Sequence, residues 1–217
     1  MRGAVLVWRA AAPRLWHHLP RLIVVNVLWL VASWPLLTLG AATLTAYAWL
    51  RRAVLEVEDE RREGASVPEE PYSSLLPLLR RLWWPGSLWT GLNVALLVPL
   101  GGLALGAARS GTLAGTAAGI LALYVAWFWL ALQPFFLDAL AEGMPLPRAL
   151  AEAVQIVLAY PAYSHFSALP PLLLAGLAWW FSSLWATVGV TALLLYWACV
   201  ATGDPAPRRS RPVRDVL

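Results

Sequence analysis

Residues 33–40 read SWPLLTLG, and they lie inside a run, 22–50, that carries no charged side chain. Proline removes a backbone donor and fixes φ, so a helix that reaches Pro35 kinks or ends there. Two folds accommodate the break. Either 22–50 is one helix crossing a membrane with an interruption at its centre, or it is a hairpin whose arms enter and return. A hydrocarbon core of roughly 30 Å needs about 20 apolar residues of helix. The arms of a hairpin would hold about 13 and 15 residues, roughly 20 Å each. Length favours the single crossing, so 22–50 reads as a first span with a break near 33–40.

The rest of the chain has the same character. Of 217 residues, 60% are hydrophobic and 13% charged, and the mean hydropathy is +0.64. A soluble domain carries about twice that share of charge. Charged residues are also missing from 82–108, 110–137 and 153–203. Each run is long enough to cross a bilayer, and the last is long enough to cross twice. The expected fold is therefore all-α: a polytopic helical membrane protein forming one membrane domain over 1–217. It has about five transmembrane helices and one or two interfacial amphipathic helices.

Working outward, 1–21 shows a stripe of Val5, Trp8, Ala12, Leu15, Trp16 and Leu19, with Arg2, Arg14, His17, His18 and Arg21 opposite. Such a stripe suits a helix lying in the interface plane. Residues 51–81 form a polar loop that ends in an interfacial approach, with Trp83, Trp84 and Trp89 at headgroup level. The second and third spans fall at 86–107 and 113–136, joined by the turn ARSGT at 108–112. Gly101, Gly102 and Gly106 permit close helix packing. Residues 139–160 read as an interfacial helix with Leu150, Val154, Val157 and Leu158 on one face. The fourth and fifth spans fall at 161–181 and 184–202, with a turn at 181–184 flanked by Trp179, Trp180 and Trp185. A basic tail occupies 203–217.

The sixteen basic residues are all arginine, a bias that suggests a bacterial source. A pI near 9.7 could signal nucleic acid, but most arginines flank the apolar runs, where they meet lipid phosphates and set orientation. With one crossing at 22–50 and the N-terminus outside, eleven arginines lie inside and five outside. With a hairpin there, fifteen lie inside and one outside. Charge thus favours the hairpin against length. Both place the 51–81 loop and the tail in the cytoplasm of a bacterial inner (plasma) membrane.

Chemistry is limited by what the runs lack. There is no HExxH, no P-loop and no GxSxG. A coupled transporter would carry an ionisable group within a span. Asp138 comes nearest, and its place at a span end suggests solvent exposure. His17 and His18 point about 100° apart on a helix and make a poor metal pair. The carboxylates Glu56, Glu58, Asp59 and Glu60 alternate with arginine and read as a solvated face. Cys199 reads as a small buried hydrophobe. His165 with Tyr160 and Tyr163 reads as an interfacial aromatic group. No catalytic residue, metal site or cofactor is expected.

Neutral polar residues remain. Asn26, Thr38, Thr43, Asn93 and Gln133 can bond between helices. Thr38 and Gly40, with Ala41, Ala42 and Thr43, give a small face suited to another helix of the bundle or of a partner. Asn26, Trp29, Pro35, Thr38, Gly40 and Thr43 thus form a candidate helix-docking motif, and Asn93 and Gln133 form possible intramembrane contacts.

Asn26, Leu28-Trp29, Pro35, Thr38, Gly40, Ala41-Ala42-Thr43, Ala46 and the exit Arg51-Arg52 resemble the first span of the YesL-like family of small bacterial membrane proteins. That family has no established activity. Its members often accompany carbohydrate-uptake genes, so the resemblance implies a link to carbohydrate ABC transport. The expectation is a non-enzymatic accessory or scaffold subunit, with lipids and ABC permease subunits as partners and no nucleic acid. The alternative is a small-molecule or sugar permease acting alone or as a homo-oligomer, with a polar cavity lined by Asn26, Thr38, Asn93 and Gln133. An enzyme acting on lipid-linked sugars would need the 56–60 carboxylates at the bilayer surface.

Overall fold

The computed structural model describes residues 2–34, 38–52, 75–170 and 188–203, with the side chains of 2–6, 8 and 10 left aside. Among these residues every regular element is a helix. They are α1 (Arg2–His17), α2 (Leu19–Ser33), α3 (Leu39–Leu50), α4 (Leu75–Ser110), α5 (Leu113–Ala141), α6 (Leu146–Ala159), α7 (Pro161–Ser167) and α8 (Val190–Gly203). Two of them, α4 and α5, are long and apolar enough to cross a membrane.

The run 22–50 doubles back on itself. The indole N–H of Trp29 on α2 donates to Thr43 Oγ1 on α3 at 3.0 Å. In one straight helix those residues would stand about 21 Å apart. Val25 and Ala46 line the same groove as Ala32 and Ala42, so the two arms run antiparallel. Pro35 lies outside the described residues. On either side of it, the Thr38 hydroxyl bonds to the Ala32 carbonyl across the break. The arms, 15 and 12 residues, come to about 22 and 18 Å. The expectation of one helix with a central break gives way to two arms, held together by side-chain bonds across the break and a shared core.

Helix α3 is small and apolar on every side, and a helix of that kind belongs inside a bundle. All its residues except Leu39 and Ala48 are buried. Around it sit Phe135, Phe136 and Leu140 of α5 and Leu194 and Leu195 of α8. Gly40 meets Gly86 of α4 backbone to backbone. A Cβ on Gly86 would fall 2.5 Å from the Gly40 carbonyl oxygen, and one on Gly40 would strike the Gly86 carbonyl and the Thr90 hydroxyl.

Helix α4 continues without interruption from Leu75, so the expected interfacial approach before 86 is its first three turns. Its 36 residues span about 54 Å. Helix α5 runs back beside it through a short turn. Gly111 takes a left-handed φ of 62°, and Thr112 caps α5 by accepting from Gly115 N at 3.0 Å. Beyond the bundle the outer half of this hairpin is bare: Val94, Val98, Leu103, Leu105, Ile120, Leu121 and Leu123 are exposed. A Cβ at Gly101, Gly102 or Gly106 would meet nothing within 4 Å. These glycines, expected to seat a neighbouring helix, seat none within the described residues.

Helix α5 runs on to Ala141 and ends in a Schellman turn: Gly143 N bonds to Leu140 O, Met144 N bonds to Ala139 O, and Gly143 has φ 88°. The interfacial helix expected over 139–160 therefore starts at Leu146. Its buried face is Ala149, Ala153, Ile156 and Val157, while Leu158 is exposed. The expected face is rotated because small alanines permit close approach where leucines do not. Among the described side chains of α1, Val7 and Ala11 are buried and Ala12 and Trp16 exposed, one residue off the expected stripe, whose Val5 and Trp8 lie outside the described side chains. An 80° bend separates α1 from α2. The turn at 181–184, its flanking tryptophans, the acidic residues 56–60 and the tail from 204 lie outside the described residues.

Candidate functional site

Where α3 and α5 end side by side, one charged cluster is built. Asp138 is 1% exposed, so its expected place in solvent is corrected. Arg51, the residue after α3, sets Nη1 3.2 Å from Asp138 Oδ1 and Nη2 3.0 Å from Glu142 Oε1. Tyr47, one turn earlier on α3, donates its hydroxyl to Asp138 Oδ1 at 3.1 Å. Residues 138 and 142 are one turn apart on α5, so both carboxylates face the same guanidinium. Burial by itself would lower the Arg51 pKa. The negative charge of Asp138, with Tyr47 and Glu142, outweighs burial and raises it, which keeps the guanidinium charged. The carboxylate can be buried because Arg51 pairs its charge and the Tyr47 hydroxyl donates to it. Its donors hold it in place, an arrangement suited to fixing two helix ends.

A second cluster joins α4 to α5. Trp89 Nε1 donates to Gln133 Oε1 at 2.9 Å, and Gln133 Nε2 donates to the Trp129 carbonyl at 3.2 Å. Trp129 Nε1 donates to Asn93 Oδ1 at 2.9 Å, and Asn93 Nδ2 donates to the Trp89 carbonyl at 2.9 Å. Each helix thus offers a tryptophan and, four residues later, an amide. Antiparallel pairing closes the four residues into a ring of hydrogen bonds with an approximate twofold relation. The two amides are candidates from the sequence; of the tryptophans that complete the ring, Trp89 reads there as an interface anchor and Trp129 is not singled out. The legible signal was the repeated spacing, Trp89 to Asn93 and Trp129 to Gln133.

The remaining candidates also bond within the chain. Asn26 is fully buried and accepts from the Thr191 amide at 3.3 Å, while Thr191 Oγ1 donates to the Leu22 carbonyl at 3.0 Å. Thr43 accepts from Trp29 and donates to Leu39 O at 2.7 Å. Gly40 through Thr43 are buried, with Gly40 under α4, so the small face is used inside the chain. The structure brings Trp29 to Thr43 and Asn93 to Gln133, and it places Asn26 apart against α8. The His165 group disperses: Tyr163 donates to Val200 O at 2.6 Å, while His165 Nδ1 lies 2.8 Å from Pro161 O. Cys199, the single cysteine, is buried. Among the described residues no group of three His, Cys, Asp or Glu could hold a metal ion.

Comparison with family models, curated proteins and solved structures finds no match.

Proposed function

We propose that this chain is a non-enzymatic integral membrane protein that serves as an accessory or scaffold subunit in a bacterial plasma membrane. The observation that carries the reading is how its polar side chains are used. Asn26, Trp29, Thr43, Asn93 and Gln133 bond to neighbouring helices or to backbone. A permease needs such groups turned toward a shared aqueous path. The groove beside Trp29 is walled almost wholly by apolar side chains, which supports the scaffold over the permease.

The topology proposed with it differs from five crossings. The α2/α3 hairpin enters and returns, with Gly40 at the start of α3 packed on Gly86, the kind of protein cover that re-entrant backbone requires. Helices α4 and α5 cross, and the run 153–203 supplies two further crossings. Fifteen of sixteen arginines then share the cytoplasmic side, with Arg109 opposite. A link to carbohydrate ABC transport rests on the resemblance of residues 26–52 to the YesL-like family. A partner helix finds Gly40 covered, so the bare apolar half of α4 and α5 is the surface offered.

Gentle extraction of the tagged protein from native membranes, with mass spectrometry of what co-purifies, tests the reading. Stoichiometric recovery of a transporter subunit is expected. Recovery of this chain alone, with solute flux in liposomes, would replace it with the permease.

A further inference from the structure

Between the α2/α3 hairpin and the first turns of α4 lies an open groove of about 270 Å³, walled by Val25, Leu28, Ala32, Ala46, Leu76 and Leu79. One polar side chain lines it with nothing to bond. Thr45 is 6% exposed, and among the described residues its Oγ1 has no hydrogen-bond partner. Buried hydroxyls without a partner are rare and call for one. The Trp29 indole beside it is already committed to Thr43. The mouth passes Val31 and Leu76, both well exposed, so the groove opens on an apolar surround.

The register of α3 and α4 adds a charge. Gly40 lies on Gly86, and residues 42–46 share the groove with 75–79, so the helices run antiparallel. Thr45, five residues beyond Gly40, is then level with residues 80 and 81. Arg80 follows Leu76 by one turn on the same side of α4. It is exposed and has no carboxylate partner among the described residues.

We infer that this groove holds one acyl chain of an anionic phospholipid, with Thr45 Oγ1 donating to the ester carbonyl and Arg80 meeting the phosphate. The three parts match the ligand in order. The apolar walls take the chain, a lone buried donor sits where the ester begins, and a cation lies at the same level on the rim. A zwitterionic lipid offers the same phosphate with a choline cation beside it, which offsets part of the attraction to Arg80, whereas an anionic headgroup keeps its full charge. A free anion would leave the walls empty. The inference is independent of the accessory-subunit reading, since a permease could carry the same lipid.

The test is native mass spectrometry of the full chain, delipidated by detergent exchange and then supplied with palmitoyl-oleoyl phosphatidylglycerol or phosphatidylcholine. Wild type is expected to retain one phosphatidylglycerol, in preference to phosphatidylcholine by about fivefold, the effect of one arginine near an anionic group. Thr45→Val keeps the shape and removes the donor, and should lower retention by about fivefold. Arg80→Gln should erase the headgroup preference while leaving chain binding. Ala32→Phe fills the groove and should abolish retention, with its folding checked by intrinsic fluorescence. Wild type that retains no lipid, as when a segment of the chain itself fills the groove, overturns the inference. So does equal retention of the two headgroups by wild type, or full retention by both Thr45→Val and Ala32→Phe.

Discussion

Trp89 and Gln133 face each other across the α4/α5 hairpin, indole nitrogen to amide oxygen at 2.9 Å, and Trp129 and Asn93 repeat the contact upside down at the same distance. The repetition follows from antiparallel geometry. When two helices carry a tryptophan and an amide at the same spacing, pairing the first Trp with the second amide pairs the second Trp with the first amide. The ring gives each indole N–H an acceptor and uses both the oxygen and the nitrogen of each amide, as an apolar surround favours.

Breaking the ring at one amide should therefore strand an indole N–H. Gln133→Leu is expected to destabilise the bundle by roughly 0.6–2 kcal/mol, the range for interhelical bonds in membranes. Trp89→Phe together with Gln133→Leu should cost less than the sum of the two single changes, because the stranded donor is then gone. Unfolding by titration with sodium dodecyl sulfate measures all four corners of the cycle. Strict additivity would mean the ring contributes nothing as a unit.

The ring also marks the limit of what the sequence discloses. Runs 82–108 and 110–137 are legible as α4 and α5 because length and charge exclusion suffice to identify a long apolar helix. Asn93 and Gln133 are legible as polar positions, but their partners depend on a register that composition does not carry. Asp138 misleads for a related reason. A charge at the end of an apolar run suits either solvent or a buried partner, and Tyr47, which binds it, is 91 residues away. The fold-back of 22–50 is visible to the arginine count and hidden from the length argument, which assumes that every apolar run must cross.

Glycines divide sharply between those that carry packing and those that do not. Gly40→Ala and Gly86→Ala each place a methyl into opposing backbone, where neither side can move away cheaply. Each should lower stability by at least about 1–3 kcal/mol. Gly101→Ala and Gly106→Ala meet open space and should be neutral or stabilising by up to about 1 kcal/mol, from helix propensity alone. Thermal melts in one detergent compare the four. Equal losses at all four positions would contradict the Gly40–Gly86 contact.

The Arg51 cluster predicts an asymmetry between breaking and replacing. Asp138→Ala removes the carboxylate that both Arg51 and Tyr47 approach, and should cost about 3–5 kcal/mol, the usual result of stranding one member of a buried pair. Arg51→Met with Asp138→Leu removes both charges and should recover much of that loss. Glu142 is one-quarter exposed, so Glu142→Gln should cost about 1 kcal/mol or less. If Glu142→Gln matched Asp138→Ala, the buried carboxylate would not be the anchor of the cluster.

In the proposed topology the fold-back of 22–50 puts Arg9 and Arg52 on one side of the membrane, and that can be read directly. Cys199 is the one native cysteine and is buried, so Cys199→Ser gives a silent background. Cysteines are then placed singly by Arg9→Cys, Arg52→Cys and Gly111→Cys. Arg9, Arg52 and Gly111 are all exposed. A hairpin at 22–50 puts the first two on one face and the third on the other, because α4 lies between Arg52 and Gly111. In sealed inside-out vesicles an impermeant maleimide should label Arg9→Cys and Arg52→Cys, and should reach Gly111→Cys only after the vesicles are opened. Labelling of Arg9→Cys with the Gly111→Cys group would restore the single crossing. It would also be hard to reconcile with the Trp29–Thr43 bond, since a helix that crosses once cannot bring residue 29 beside residue 43.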